Sequence, residues 1–579
     1  RNVLDFSDLL WLTYKIIDEK DVLTELQKRY SYFLIDEVQD TDQVQSDIIW
    51  KIIGSFNKLN GSIFIVGDIK QSIYGFRDAD ICIMESMQND IITNNGKEVV
   101  LDVNFRSTKE ILGFVNVFFS KLFSENGDRW DIPYHPIYVS PARSKDCGSI
   151  QILRTIQTDY NEKPDDIESK SIAQKIHEIV NSNLMIHGED GNDRPVSFRD
   201  IAILLETRKS LHFLEQHLRN QNIPYCIPNG QGFYQSREVR DMINLLSVVS
   251  KINDDVTLYG VLRSPYFGIS DADLCMPTER YPGSYESCIN EYAKDNPDSK
   301  IATAFNRIES WREFAQNNSI PDLIRTIIRE SYIYTIYGSS PNGKYKIANI
   351  EKLISIAIAR SHACNQILTL PEFIHIFNLG VNVNEKSATP VGNLNDDQVN
   401  IMTIHASKGL EFPIVILANL HHPIPSDKNT FVLDKEMGIG LSIRVYGDKP
   451  TPTFVSLFNH DSINKRSIAE RKRLFYVAMT RARDHLILSY VKELGKNFPE
   501  KSICKSRICW LNKLLPLDKP QTSYQVQTNE ENIPIIDIPV TEIRADSINS
   551  DNKDKTNAIP EIKEGDKRYI HQIANMIEY

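Results

Sequence analysis

Residues 33–42 read FLIDEVQDTD, and residues 63–80 read IFIVGDIKQSIYGFRDAD. Each is a short apolar run that ends in a polar, charged loop, the pattern of a buried strand that delivers side chains to the end of an α/β sheet. The first delivers two adjacent carboxylates, Asp36 and Glu37. Paired acids at a strand end suit a nucleotide hydrolase, in which one holds Mg²⁺ and the next positions the attacking water. The second places Gln71 after a Gly-Asp turn, where its amide can sense a γ-phosphate. Tyr74, Phe76 and Arg77 follow within six residues. Their rings suit stacking on unpaired bases, which needs no reading of base sequence.

Outward from these loops the chain keeps an α/β pattern. Amphipathic helix alternates with the two short strands up to residue 92, a strand is expected at Val99–Val103, and a helix near Ile111–Leu122. Residues 124–148 read as a loop, with strand signals returning at Ile150–Leu153 and Ile201–Leu205 around a helical run at Ile172–Val180. From about 253 to 395 apolar residues recur at three- and four-residue intervals, as in KIANIEKLISIAIARSHA, which marks helices. The α/β pattern resumes at Val399 and runs to Tyr490, so the helical stretch reads as an insertion. Residues 515–560 are rich in Asp, Asn and Pro and read as a tether.

A chain of 579 residues exceeds one hydrophobic core, and about three or four domains are expected. Apolar content of 41% and charged content of 25% describe a globular protein, and no apolar run approaches the roughly 20 residues of a membrane span. Eight cysteines imply no disulfide framework and point to a reducing, cytoplasmic compartment. Cys504 and Cys509 have no second pair nearby and read as structural. The net charge of −11 argues against nonspecific coating of nucleic acid but leaves room for a local basic groove. The first residues, RNVLDFSDLLWLTYKII, open in amphipathic helix without an initiator Met, as a cut through a longer protein would.

Three more blocks complete the set: LDVNFRS at 101–107, VNIMTIHASKGLEFPIVIL at 399–417 and AERKRLFYVAMTRARDHLIL at 469–488. Gly409 permits close backbone approach, Glu411 can accept from a ribose hydroxyl, and His405, Ser407 and Lys408 can donate to phosphates. Arg106 and Arg481 offer guanidinium forks for charge that spreads over phosphoryl oxygens. The five blocks, in this order over residues 1–492, resemble motifs II to VI of the UvrD/Rep superfamily-one DNA helicases. The inserted lengths and the tail are more similar to the AddA/RecB branch, the motor subunits of recombination helicase–nucleases.

The resemblance implies RecA-like P-loop motor domains, the first one partial, with a mostly helical inserted subdomain. It divides the chain into the end of motor domain 1A (1–92), the first part of 2A (93–252), a helical 2B insertion (253–397), the second part of 2A (398–492), a linker (493–560) and the possible start of a RecB-type nuclease domain (561–579), in which His571 would be a metal ligand. It implies ATP and Mg²⁺ as cofactors and ATP-driven 3′→5′ translocation on DNA. It assigns Asp36, Glu37, Gln71, Arg106 and Arg481 to catalysis, Asp36 to the metal, and Phe105, Gly409 and Glu411 to nucleotide binding. Tyr74, Phe76, Arg77, His405, Ser407 and Lys408 would meet DNA. Single-stranded and duplex DNA are the implied partners, with a second, AddB/RecC-like subunit, and no membrane.

Two departures stand out. Glu206, in DIAILLETRKS, occupies a position where many relatives carry an Arg, which puts one DNA contact in doubt; Arg208 is a possible substitute. The string from Gly338 to Lys344, GSSPNGK, imitates a phosphate loop, but Tyr345 replaces the hydroxyl residue that would bind Mg²⁺ and no apolar strand precedes it. The true phosphate loop is expected upstream of Arg1. The rival readings are a repair helicase without nuclease and a non-catalytic DNA-binding subunit; intact Asp36, Glu37, Gln71, Arg106 and Arg481 speak against the second. The chain alone is therefore expected to turn over ATP negligibly. Steady-state hydrolysis with single-stranded DNA checks this, and DNA-stimulated turnover lost in Lys344→Ala would contradict it.

Overall fold

The computed structural model describes residues 4–54, 62–123, 130–143, 146–159, 161–182, 184–188, 192–227, 233–251, 254–340, 343–363, 368–380, 397–425, 429–434, 437–443, 451–494, 506–518, 521–528 and 535–545. The chain forms two compact units, Arg1–Pro224 with Met402–Tyr579, and Tyr225–Ile401.

The first unit is built on a mostly parallel sheet. Its strands run in the order Ser523–Gln527, Ile535–Arg544, Ser149–Gln157, Ala482–Glu493, Phe412–Leu417 and Ile201–Leu205. The register sets Leu486 beside Val415 and Ile150, and Ile414 beside Ile201. Side chains alternate across the sheet. Ile150, Ile152, Leu204, Val415, Leu486 and Leu488 share one core with Ile111, Phe114, Phe118 and Phe119 of helix Lys109–Phe123 and with Phe475 of helix Phe454–Met479. Helix Lys109–Phe123 forms because its apolar residues recur at the helical period and most of them find that face. Ser489, on the opposite face, meets Glu168 of helix Pro164–Asn181.

A separate parallel pair, Tyr32–Ile35 with Ser62–Ile65, carries the two motif loops at its carboxyl ends. Helix Gln43–Ile53 follows, started by a reciprocal cap in which Asp42 accepts from the Gln45 N–H at 2.8 Å. Leu34 and Phe64, on this pair, are exposed.

The second unit is helical, with a short parallel pair, Tyr225–Cys226 against Val399–Asn400, where the chain enters and leaves it. Helices Asp255–Arg263, Asp271–Arg280, Tyr285–Asp295, Lys300–Asn317 and Ile320–Ser331 each follow an Asp or Ser whose side chain accepts a first-turn N–H. Trp311 is fully buried in its core and donates its indole N–H to Glu330 at 2.7 Å. Helix Arg237–Val249, within the stretch that the sequence reading placed in the α/β domain, contributes to this helical core. Gly338 closes helix Ile333–Gly338 and Gly343 opens the next, so the false phosphate loop joins two helices and lacks the strand that a phosphate cradle requires.

Two expectations need correction. Only Val103–Asn104 is a strand near Val99; Val99, Val100 and Leu101 are exposed and unpaired with a sheet, because an apolar run alone cannot specify a neighbour. Part of the expected tether is not one. Ser523–Gln527 and Ile535–Arg544 pair antiparallel, and the second adds in parallel to Ser149–Gln157. Tyr524, Val526, Ile536 and Ile538 alternate into the core, a period-two signal hidden by the Asp and Pro residues between them. Residues 495–505, including Cys504, and 546–579, including His571, lie outside the described residues.

The edge strands give a direct check. Ile538→Ala removes a fully buried side chain and is expected to cost about 2–5 kcal/mol in denaturant unfolding. Gln527→Ala, on the exposed face, is expected to stay within about 0.5 kcal/mol. Equal, negligible effects would return this segment to a tether.

Candidate functional site

Strand Tyr32–Ile35 ends at Asp36, and the chain then turns through Glu37, whose φ of 53° lies in the left-handed region. A non-glycine residue is held there only at a local cost, which the surroundings must offset. Asp36 Oδ1 accepts the Glu37 N–H at 2.8 Å and so secures the turn. Both carboxylates are exposed, and with Asp40, Thr41 and Gln45 they line a cavity of about 460 Å³ whose apolar lining includes Leu10, Ile35, Ile48 and Ile49. Asp40 Oδ1 is buried there without a hydrogen bond.

Gln39 connects this turn to the second loop. Its side-chain amide donates to Glu37, its Oε1 accepts the Asp68 N–H at 3.0 Å, and its carbonyl accepts from the Ser72 hydroxyl at 3.0 Å. Asp68 in turn accepts from the Gln71 amide at 3.1 Å and the Lys70 N–H at 3.0 Å. The loop then pins itself to helix Phe454–Met479. Gly75 N–H donates to Glu470 at 2.9 Å, and Arg473 donates to the Ser72 carbonyl at 2.8 Å. A Cβ on Gly75 would sit 2.7 Å from the Glu470 carboxylate, so a larger residue would have to displace that carboxylate. Ile73 is fully buried between these anchors. The loop is therefore rigid where it leaves Gln71 and open where it presents Phe76, which is 65% exposed.

Tyr74, Phe76 and His405 form a ring cluster: Phe76 meets His405 edge-on at 5.4 Å and Tyr74 at 5.8 Å. The Arg77 guanidinium lies 5.2 Å from the Tyr74 ring and 5.6 Å from the Phe76 ring. Burial lowers the His405 pKa below the usual histidine value, helped by Arg77 and opposed by Glu470 and a hydrogen bond with Ile73. His405 is thus neutral at pH 7.

Lys408 was expected beside DNA and stands elsewhere. Its Nζ is bound by Asp40, lies 3.2 Å from Glu37 and donates to the Gln71 carbonyl at 3.1 Å, with its side chain 7% exposed. It also sits 5.2 Å from the Tyr74 ring. Its charge is spent on the acidic turn, so it faces the carboxylates and not an external phosphate. Burial raises the Asp40 pKa, and the Lys408 ammonium opposes that rise. Ser407 also departs from expectation: it is fully buried and donates to the Ile404 carbonyl at 2.8 Å, which fixes the turn and removes the hydroxyl from any ligand. Gly409 follows at φ 83°, a left-handed conformation that glycine adopts without steric cost.

The two arginines differ. Arg106 forms an exposed pair with Glu411 at 2.5 Å, and Asn104 Oδ1 orients it by accepting the N–H groups of Arg106 and Ser107, each at 2.8 Å. Arg481 is buried; it donates to the carbonyls of Val477 and Leu410, both at 3.1 Å. Burial and then the Arg106 charge push its pKa down to about 10, so it stays protonated. Phe105 is 72% exposed on the same turn as Arg106. Glu206 has a structural use: it pairs with both Arg471 and Arg507. Arg208 begins an exposed turn beyond it.

Asp40, Asn104, Glu470 and Arg473 were not singled out in the sequence. Glu470 and Arg473 are three apart on one helix and so share a face, which was the available signal. Asp40 gave none, because its role depends on a lysine 368 positions away.

The His405 shift has a consequence for stability. Its folded pKa lies below the unfolded value of 6.5, so its contribution is full above that value and is lost as pH falls through the folded pKa. His485 is shifted the same way by burial. Thermal melts are expected to weaken as pH drops below about 6.5, and His405→Gln is expected to reduce that slope without abolishing it. An unchanged slope would mean that His405 is not held neutral by the fold.

Residues 1–92 match the family model described as UvrD/REP helicase N-terminal domain, and residues 99–493 match the UvrD-like helicase C-terminal domain. Among curated proteins, the chain is 30% identical over 531 residues to the A subunit of an ATP-dependent helicase/nuclease from Ligilactobacillus salivarius, covering 84% of this chain and 42% of the relative. A protein of the same name from Listeria monocytogenes is 31% identical over 524 residues, with the same shares. One from Geobacillus kaustophilus is 29% identical over 558 residues, covering 88% of this chain and 44% of the relative. The chain thus spans less than half the length of these relatives.

Proposed function

Because the chain belongs to the UvrD-like helicase family, we propose that it is the motor portion of an ATP-dependent, 3′→5′ translocating DNA helicase of double-strand-break repair and recombination. Within that reading it is the AddA-like component of a helicase–nuclease. It would work in the cytoplasm on single-stranded and duplex DNA beside a second, AddB/RecC-like subunit. The observation that carries the reading is the single loop 68–78, whose start is hydrogen-bonded to the acidic turn through Gln39 and whose end presents the rings of Tyr74 and Phe76. Among the described residues, no helix is long and apolar enough to cross a membrane.

The donor set fits a divalent cation: two exposed carboxylates at a strand end, with an orphaned buried oxygen on Asp40 beside them. Asp36 would hold Mg²⁺, whose chemistry there would be to offset phosphate charge. Glu37 would accept a hydrogen bond from the attacking water and orient it. Arg106 would swing to the phosphates, since an exposed ion pair such as that with Glu411 is worth only about 0–1 kcal/mol. Arg481, fixed by two carbonyls, would supply a stationary charge beside it. Phe105 would stack on the adenine, and Glu411, once released by Arg106, would accept from the ribose. Gln71 would report the γ-phosphate, and its backbone carbonyl would pass the displacement to Lys408 and the ring cluster.

Residues 1–92 would then be the end of the first motor domain, 93–252 and 398–492 would hold the second and 253–397 the helical insertion, with helix Arg237–Val249 packed into the insertion's core, and 561–579 would be the start of a nuclease domain.

In the full-length parent, Glu37→Gln and Arg106→Ala are expected to leave ATP binding intact and lower kcat by about 10²–10⁴. Steady-state hydrolysis with nucleotide-binding titration checks this, and turnover within a few-fold of the parent would remove both roles. Phe76→Ala is expected to weaken single-stranded DNA binding by about 1–3 kcal/mol while ATPase without DNA holds. Unchanged DNA affinity and stimulation would make these rings packing residues only.

A further inference from the structure

The strands Phe412–Leu417 and Ala482–Glu493 carry the candidate site at their amino ends, near Glu411 and Arg481. At their opposite ends, roughly 20 Å away by the rise of a strand, lies a second group of side chains that the proposed function does not use. Asp165 and Glu168 lie one turn apart at the start of helix Pro164–Asn181, and His421 and His422 follow strand Phe412–Leu417.

We propose that Asp165, His421 and His422 form a binding site for a divalent transition metal, best suited to zinc, with Glu168 orienting His421 from behind. One potential ligand atom from each of the three residues lies within 4.8 Å of the others. The Asp165 carboxylate is 2.6 Å from His422 Nε2 and 3.6 Å from His421 Nε2. Two nitrogens and a carboxylate, leaving a fourth position for water, are a donor set that zinc accepts in tetrahedral geometry and that magnesium and calcium do not favour.

Two orphaned atoms point to a missing ligand. His421 Nε2 is buried and makes only a long approach to Asp165, at 3.6 Å. Glu168 is 1% exposed, and its Oε2, also without a hydrogen bond, lies 3.6 Å from His421 Nδ1. Glu168 Oε1 is already committed, accepting from Asn419 N–H at 3.1 Å and the Ser489 hydroxyl at 2.6 Å. A metal on His421 Nε2 places the ring proton on Nδ1, where Glu168 Oε2 can accept it. One ion thereby satisfies both atoms, in the carboxylate–histidine–metal relay that metal-bound histidines use. The competing contact, Val491 N–H to His421 Nδ1, is long at 3.4 Å. A bound ion would fasten the helix start to the loop beyond the sheet.

The test uses the full chain, stripped with a chelator and titrated with Co²⁺ and then Zn²⁺. One equivalent of Co²⁺ is expected to give visible ligand-field bands of tetrahedral strength with no thiolate charge-transfer band. Zn²⁺ should displace it and raise the melting temperature, and excess Mg²⁺ should not compete. His422→Gln and the double variant His421→Gln/His422→Gln should lose the bands, and Glu168→Gln should weaken binding about 10–100-fold. Chelated variants are compared by circular dichroism, and His422→Gln, at the more exposed position, carries the test if the double variant misfolds. Absence of stoichiometric binding in the parent, binding that survives in His422→Gln, or a thiolate band would each overturn the site. None of these outcomes bears on ATP hydrolysis.

Discussion

The buried ammonium of Lys408 is the contact on which the candidate site depends. It is enclosed by Glu37, Asp40 and the Gln71 carbonyl, and it lies beside the Tyr74 ring. Its desolvation is offset only while all those partners are in place, and breaking a buried pair from one side typically costs about 3–5 kcal/mol. Such a pair is weak evidence of net stability. It is strong evidence of a specified arrangement, since any other placement of the acidic turn strands a charge. Three sequence blocks, some 370 residues apart at their extremes, are thus brought to one point.

Around it the backbone is over-determined. Glu37 keeps a left-handed conformation because Asp36 and Gln39 hold it from both sides. Gly75 touches Glu470, and Arg473 reaches the Ser72 carbonyl, so the loop between the acidic turn and the rings cannot move as a loose connection. What remains adjustable is at the rim: Phe76, Arg77, Phe105 and the Arg106–Glu411 pair are exposed or half-exposed. The sheet behind it presents the histidine cluster at its far ends.

Much of this was legible in the sequence. Strand Ile201–Leu205, helix Lys109–Phe123 and the helical stretch could be read from periodicity, because each buries a face whose spacing is set locally. The motif loops could be read because acids, rings and glycine cluster where an apolar run stops. The strands Ser523–Gln527 and Ile535–Arg544 were hidden, since polar alternates on an edge of the sheet resemble the composition of a linker.

The sequence by itself determined the family, the kinds of side chain available and the local elements that carry them. Local order follows from propensity and period, which act over a few residues. Tertiary structure alone decided that Lys408 serves the acidic turn, that Ser407 is buried, that Arg106 pairs with Glu411 at the surface while Arg481 is buried, and that Glu206 answers Arg471 and Arg507. Each of those outcomes depends on which charge loses its water beside which partner, and that is settled only when distant segments share one core.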